Sequence, residues 1–216
     1  MRKISLICCA LLSVAVLACN KTEDPNTEPE KPTPEKPTPE PEPKPEPEPQ
    51  NSAIIVVGQE YLSDKGFYDA VMWVDGKRFA FTKGEHDSFC NAVYTYKDSV
   101  FVAATEAVGE LVSDEYYGDY NENNGVVYSF KLGEEDKFKR TVYGGVKGKS
   151  TASGVAYSNG NVYVSGFDSP GFDRRALYWK NDRKFELTDG SVDALAYCVA
   201  ADGDDVYVGG YIQSKD

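Results

Sequence analysis

The chain is predicted to be all-β, built as a row of four-stranded antiparallel sheets stacked face to face. Three observations predict it. First, β-branched and aromatic residues alternate through residues 52–216, and no segment carries apolar residues at i, i+3, i+4 and i+7 for long enough to make a helix. Second, Asn-Gly and Asp-Gly pairs recur between short apolar runs, and both tolerate the positive φ that tight hairpins need. Third, the runs opened by Ile54, Val100, Val162 and Val206 start 46, 62 and 44 residues apart. Four strands in a period of roughly 45 residues is the pattern of a β-propeller blade.

The clearest unit spans 153–190 and sets the four strands, a to d. Strand a is Gly154-Val155-Ala156-Tyr157, and Ser158-Asn159-Gly160 turns it into strand b, Asn161-Val162-Tyr163-Val164-Ser165-Gly166. After a loop come strand c, Arg175-Ala176-Leu177-Tyr178-Trp179-Lys180, and strand d, Lys184-Phe185-Glu186-Leu187. The spacing recurs elsewhere. Val93, Val155 and Val199 each precede a strand-b valine by seven residues. Trp73 and Trp179 each precede a phenylalanine by six residues, a threonine by nine and a glycine by eleven. Turns fall at Asn159-Gly160 and Asp202-Gly203 between a and b, and at Asp75-Gly76 and Asn181-Asp182 between c and d.

The units are therefore about 53–82 (lacking strand a), 90–143, 153–188 and 193–216, some three and a half blades. A closed propeller needs at least four, so the expectation is an incomplete propeller whose sheet is finished by missing blades or by another chain. One small sheet cannot hide both its faces, so Trp73, Phe79, Tyr163, Trp179 and Phe185 are expected between neighbouring sheets.

The segment before this domain has a different character. Met1-Arg2-Lys3 is a basic start, and Ile4 to Leu17 is an apolar run broken by Ser5 and Ser13. This describes a secretory signal peptide over residues 1–18, too short to span a membrane. Residues 25–49 hold eleven of the twelve prolines, alternating mostly with Glu, Lys and Thr. Proline fixes φ and donates no hydrogen bond, so residues 19–51 are expected to form an extended disordered stalk. The whole chain carries 23 Lys+Arg against 35 Asp+Glu, a net charge of −12. Such acidity argues against nucleic acid as a partner.

Two resemblances follow from these residues. Leu17-Ala18-Cys19 is similar to the lipobox of bacterial lipoproteins. That resemblance implies cleavage before Cys19, lipid on its sulfur and amine, and a membrane partner held through that lipid. Asn20 in place of Asp implies the outer membrane, facing either the surface or the periplasm. The a–b pieces, ending in Val206-Tyr207-Val208-Gly209-Gly210-Tyr211, are similar to kelch-type propeller repeats. Only one copy has both glycines, and Tyr178-Trp179 are adjacent where kelch repeats separate them. The units look more like the propeller-like repeats of uncharacterised Gram-negative surface lipoproteins.

The sequence offers little chemistry. His86 is the one histidine and sits in a polar loop, so neither a nucleophilic triad nor a Cys/His metal site can be assembled around it. Cys90 and Cys198 are expected to stay unpaired, as buried thiols. Asp119 to Gly125 resembles the first half of an EF-hand loop, but its glycine is one place late and Phe130 stands where the closing Glu belongs. No cofactor is expected.

The best candidate for function is an insertion. The second unit is longer than its neighbours, and the surplus lies within 106–124, read as a solvated loop. Tyr116, Tyr117, Tyr120, Asp114, Asp119 and Asn121 suit a ligand-binding surface for a sugar, with rings for its apolar face and oxygens for its hydroxyls. A weaker polar cluster is Asp168, Asp173 and Arg174. The leading expectation is a lipid-anchored envelope protein that binds a glycan or a protein without catalysis. The alternatives are a polysaccharide hydrolase or lyase using loop carboxylates, or a structural envelope component.

Overall fold

The computed structural model describes residues 53–114, 118–144, 149–169 and 171–214. Cys19 and the stalk lie outside them, as do Tyr116 and Tyr117. The described residues contain strands and turns and no helix.

Among the described residues, thirteen strands form four antiparallel sheets in chain order. The first sheet is β1 (Ile55–Leu62), β2 (Phe67–Val74) and β3 (Lys77–Ala80). The second is β4 (Ser88–Tyr96), β5 (Ser99–Asp114), β6 (Gly118–Lys131) and β7 (Lys139–Tyr143). The third is β8 (Ser150–Ser158), β9 (Asn161–Asp168), β10 (Arg175–Lys180) and β11 (Arg183–Glu186). The fourth is the pair β12 (Ala194–Asp202) and β13 (Asp205–Ile212). Each sheet is a meander in which neighbours in sequence are neighbours in space.

The spacings in the sequence have physical causes. Val93, Val155 and Val199 lie opposite Val102, Val164 and Val208, the same register in three sheets. Each first strand carries a bulge at the same place, Asn91, Ser153 and Tyr197, nine residues before the strand-b valine. Thr82 and Thr188 each accept a hydrogen bond at 3.0 Å from the backbone N–H of Ala70 and Ala176, twelve residues back. Gly84 and Gly190, two residues beyond, both have positive φ. At the turns, Asp75-Gly76 and Asn159-Gly160 have positive φ at both residues, the geometry of a two-residue hairpin.

Packing follows a one-way rule. Val100, Val102 and Ala104 of β5 pack back against the first sheet, with Ala70, Met72 and Phe81. Phe101 and Ala103, between them in sequence, pack forward against the third sheet, with Val155, Val164, Leu177 and Trp179. In β9, Val164 likewise faces back, while the Tyr163 hydroxyl reaches forward to the Gly203 carbonyl at 3.5 Å. Val208 of β13 faces back onto Ala176. Period-two alternation thus gives every sheet a backward and a forward face.

This rule corrects one expectation. Trp179 is buried under the second sheet, but Trp73 lies on the backward face of the first sheet, which none of the other described sheets covers. It is partly exposed there, beside Val56 at 51 % exposure. Tyr163 is fully buried, Phe79 packs on the core between the first two sheets, and Phe185 is half-buried and stacked on Tyr178 at 4.7 Å.

The cysteines also differ from expectation. Both are free, but only Cys90 is buried. Burial pushes its thiol up to about 12. Cys198 lies in the fourth sheet and is exposed because none of the described residues covers that sheet's forward face.

Candidate functional site

Among the described sheets, the second has the long central hairpin. In the third sheet, β9 ends at Asp168, which corresponds to Glu106, six residues beyond the strand-b valine. In the second, β5 runs on to Asp114 and β6 begins at Gly118. Pairing continues through Ala107↔Asn123, Val108↔Glu122, Val112↔Tyr120 and Asp114↔Gly118. The residues read from sequence as a solvated loop are therefore mostly an antiparallel ribbon. At about 3.3 Å per residue over the six residues of β6 from Asn124, the partner of Glu106, to Gly118, it extends some 20 Å beyond Glu106.

The ribbon positions the candidate ligand-binding residues. Asp114 ends β5, while Asp119, Tyr120 and Asn121 lie at the start of β6, so their backbones share the distal end of the hairpin. Tyr116 and Tyr117 lie outside the described residues. The extended backbone over Gly118–Lys131 also disposes of the EF-hand resemblance, since a strand does not coil its residues around one ion.

At the root of the hairpin lies a cleft of about 230 Å³ between the first and second sheets. Thr82, Lys83, Glu85 and His86 border one side, and Glu106 and Arg140 the other. His86 meets the Phe67 ring at 6.0 Å, edge on. Glu106 is 9 % exposed and fully engaged. The Tyr128 hydroxyl donates to its Oε1, and Arg140 Nε lies 2.9 and 3.0 Å from its two oxygens. A second bond from the Arg140 guanidinium makes the pair bidentate. Burial and the adjacent Glu106 carboxylate push the Tyr128 phenol well above its ordinary range, so it stays a donor. A carboxylate tied by three donors from two other strands holds the sheet together.

The same arrangement recurs, and the sequence analysis did not find it. The acid on strand b and the base on strand d flank an aromatic on strand c. The sets are Glu60–Trp73–Arg78, Glu106–Tyr128–Arg140 and Asp168–Trp179–Lys184. Arg78 lies 2.5 Å from Glu60, and Lys184 3.2 Å from Asp168. The signal was present as an acidic residue six places after Ile54, Val100 and Val162.

The second polar cluster does not assemble as one. Asp168 is fully buried and bonded by Arg175 at 2.8 Å through both oxygens, as well as by Lys184. Arg174 turns instead to Asp193, at 2.7 and 2.5 Å, and to the Tyr211 hydroxyl at 2.7 Å. The Arg174 guanidinium holds the Asp193 carboxyl well below the usual carboxylate range. Asp193 and Asp87 have the same structural task. Each accepts a bond from a backbone N–H of the preceding sheet, that of Arg174 at 3.2 Å and of Tyr68 at 2.9 Å.

Among the described residues, no group of three or more His, Cys, Asp or Glu is placed to hold a metal ion. No family model matches the chain, and neither a curated protein nor a solved structure is found to be similar to it.

Proposed function

We propose that this chain is a lipid-anchored protein of the outer membrane, held through Cys19, whose propeller-like domain binds a glycan or a protein through the long hairpin of its second sheet. The observation that carries this reading is the hairpin itself. One ribbon of one sheet runs on beyond the length of its neighbours, and Asp114, Asp119, Tyr120 and Asn121 lie in the strands of its distal part. A stacked-sheet body needs no such ribbon for its own burial, and binding residues are commonly carried on connections held by a rigid scaffold.

The alternative of a polysaccharide hydrolase or lyase draws less support. The buried carboxylates Asp69, Glu106 and Asp168 are each tied into structural bonds: Asp69 accepts from Thr82 and from the Gly84 N–H at 2.8 Å, and the other two are held by arginine. A glycosidase needs one such group free to donate a proton and another free to attack or to activate water.

The test uses the full chain on immobilised glycans, beside a variant whose residues 109–121 are replaced by Asn-Gly. Lost binding with an unchanged melting temperature supports the hairpin as the recognition element. Unchanged binding removes it. For the anchor, Cys19→Ala is expected to abolish metabolic labelling by palmitate and to release the protein from the membrane fraction.

A further inference from the structure

We propose that the cleft between the second and third sheets is a binding site for a single neutral sugar ring, held by Ser129, Thr141, Tyr143 and Asp182. The site uses no residue of the long hairpin, which extends from the other end of the second sheet.

The common plan of the sheets is broken at this place. Phe79 of β3 lies opposite Met72, and Phe185 of β11 lies opposite Tyr178. At the same position of β7, opposite Val127, stands Thr141. On the neighbouring strand, Ser129 stands where the first sheet has Val74. Val74 and Phe79 both pack on the core between the first two sheets. Leu132 and Phe138, from the connection between β6 and β7, pack on that core as well. The matching connection of the third sheet is only Asn181-Asp182. Two apolar side chains are thus replaced by hydroxyls and two more have no counterpart. What is left is a cleft of about 200 Å³. Pockets for drug-sized ligands run to about 300–1,000 Å³, so this one takes a single ring.

The lining suits a sugar. Phe101, Val127 and Val162 give an apolar surface, and the Phe101 ring is braced by Tyr157, stacked at 5.2 Å. Around it stand the Ser129, Thr141 and Tyr143 hydroxyls, the Lys139 ammonium and the Asp182 carboxylate. None of these five side chains has a hydrogen-bond partner among the described residues. Tyr143 is the most telling of them. It is 6 % exposed and meets Trp179 edge on, yet its unpaired hydroxyl keeps accessible surface. Burial, with the Asp182 carboxylate adding to it, pushes this phenol up to about 12, so it stays a donor at neutral pH. A polar group so deeply set is normally bonded, and a ligand oxygen would satisfy it. Asn181, by contrast, is engaged in the turn. Its side chain accepts from the Val162 N–H at 3.0 Å and donates to Asn161 at 2.9 Å, which fixes where Asp182 stands. The one ammonium and the one carboxylate cancel, so the cleft has no net charge with which to select an ion. Hydroxyls around an apolar patch match a ring that is apolar on its face and hydroxylated on its rim.

The test is ligand-observed saturation-transfer NMR on the full chain, with glucose, galactose and N-acetylglucosamine as probes and glycine as a zwitterionic control. Transfer to at least one sugar and none to glycine is expected. Thr141→Phe restores the ring found in the first and third sheets and is expected to abolish transfer without lowering the melting temperature. Tyr143→Phe and Ser129→Ala leave the packing in place and are expected to weaken binding several-fold. Replacing residues 109–121 by Asn-Gly is expected to leave transfer unchanged, so the hairpin and the cleft are tested separately. No transfer to any of the three sugars, transfer to glycine alone, loss of transfer in the hairpin replacement, or transfer that survives both Thr141→Phe and Tyr143→Phe overturns the proposal.

Discussion

The third sheet and the first are built to the same plan, and they differ in what covers them. Trp179 and Trp73 sit at one position of that plan, as do Asp168 and Glu60, Gly166 and Gly58. In the third sheet all three are enclosed; in the first they face outward. The residue types were kept while the burial was not. The comparison separates what a residue contributes through its own sheet from what it contributes through the sheet stacked upon it.

The tryptophans give the largest contrast. Trp179→Ala removes an indole that is 2 % exposed and meets the Tyr143 ring at 5.7 Å, so it should cost about 3–5 kcal/mol. Trp73→Ala should cost roughly half of that or less, because its ring is already partly in water. Urea titrations of the two variants check this, and equal losses would break the comparison.

The acids come next. Asp168→Ala leaves Arg175 and Lys184 without their buried partner and should cost about 3 kcal/mol or more. Glu60→Ala breaks an exposed pair and should cost under about 1 kcal/mol, with the small loss shrinking further in salt. The glycines sharpen the same point. A Cβ on Gly166 would fall 1.8 Å from the Thr151 carbonyl oxygen on the bulged strand, so Gly166→Ala must push β8 and β9 apart, at about 1–3 kcal/mol. Gly58→Ala meets only the Trp73 ring at an ordinary contact distance and should shift stability by no more than about 0.5 kcal/mol.

The smallest effect concerns the thiols. Cys90 keeps its proton in the folded chain up to about 12, against 9.0 when unfolded, because burial disfavours the thiolate. The folded state then holds the proton more tightly, so this stabilisation is complete below pH 9.0 and is lost as the pH rises towards 12. Cys90→Ala should flatten the alkaline limb of a stability–pH curve. At neutral pH a thiol reagent should modify Cys198 in the folded chain and Cys90 only after unfolding. Equal rates for the two thiols would contradict the burial assigned to Cys90.

Much of the fold was legible because hairpins are local. Asn159-Gly160, the Val155 and Val162 spacing and the Trp-to-Thr offset each express a contact made within one sheet, where partners are close in sequence. Which face points where was not legible. Trp73 and Trp179 share a local pattern, and only the position of a sheet in the row decides whether an indole is covered. Cys198 was misplaced for the same reason. The hairpin was misread for another. Its acidic and amide residues are turn formers in isolation, but here β5 and β6 carry their pairing outward from an already formed ladder, which outweighs local preference. The role of Glu106 was hidden because Arg140 lies far along the chain from it, on β7, and reaches it across β6.

The constant bulge at Asn91, Ser153 and Tyr197, together with the one-way facing of each sheet, makes the chain extensible. Each inner sheet meets its neighbours through the same pair of faces and the same register, so a further unit would extend a pattern already in place.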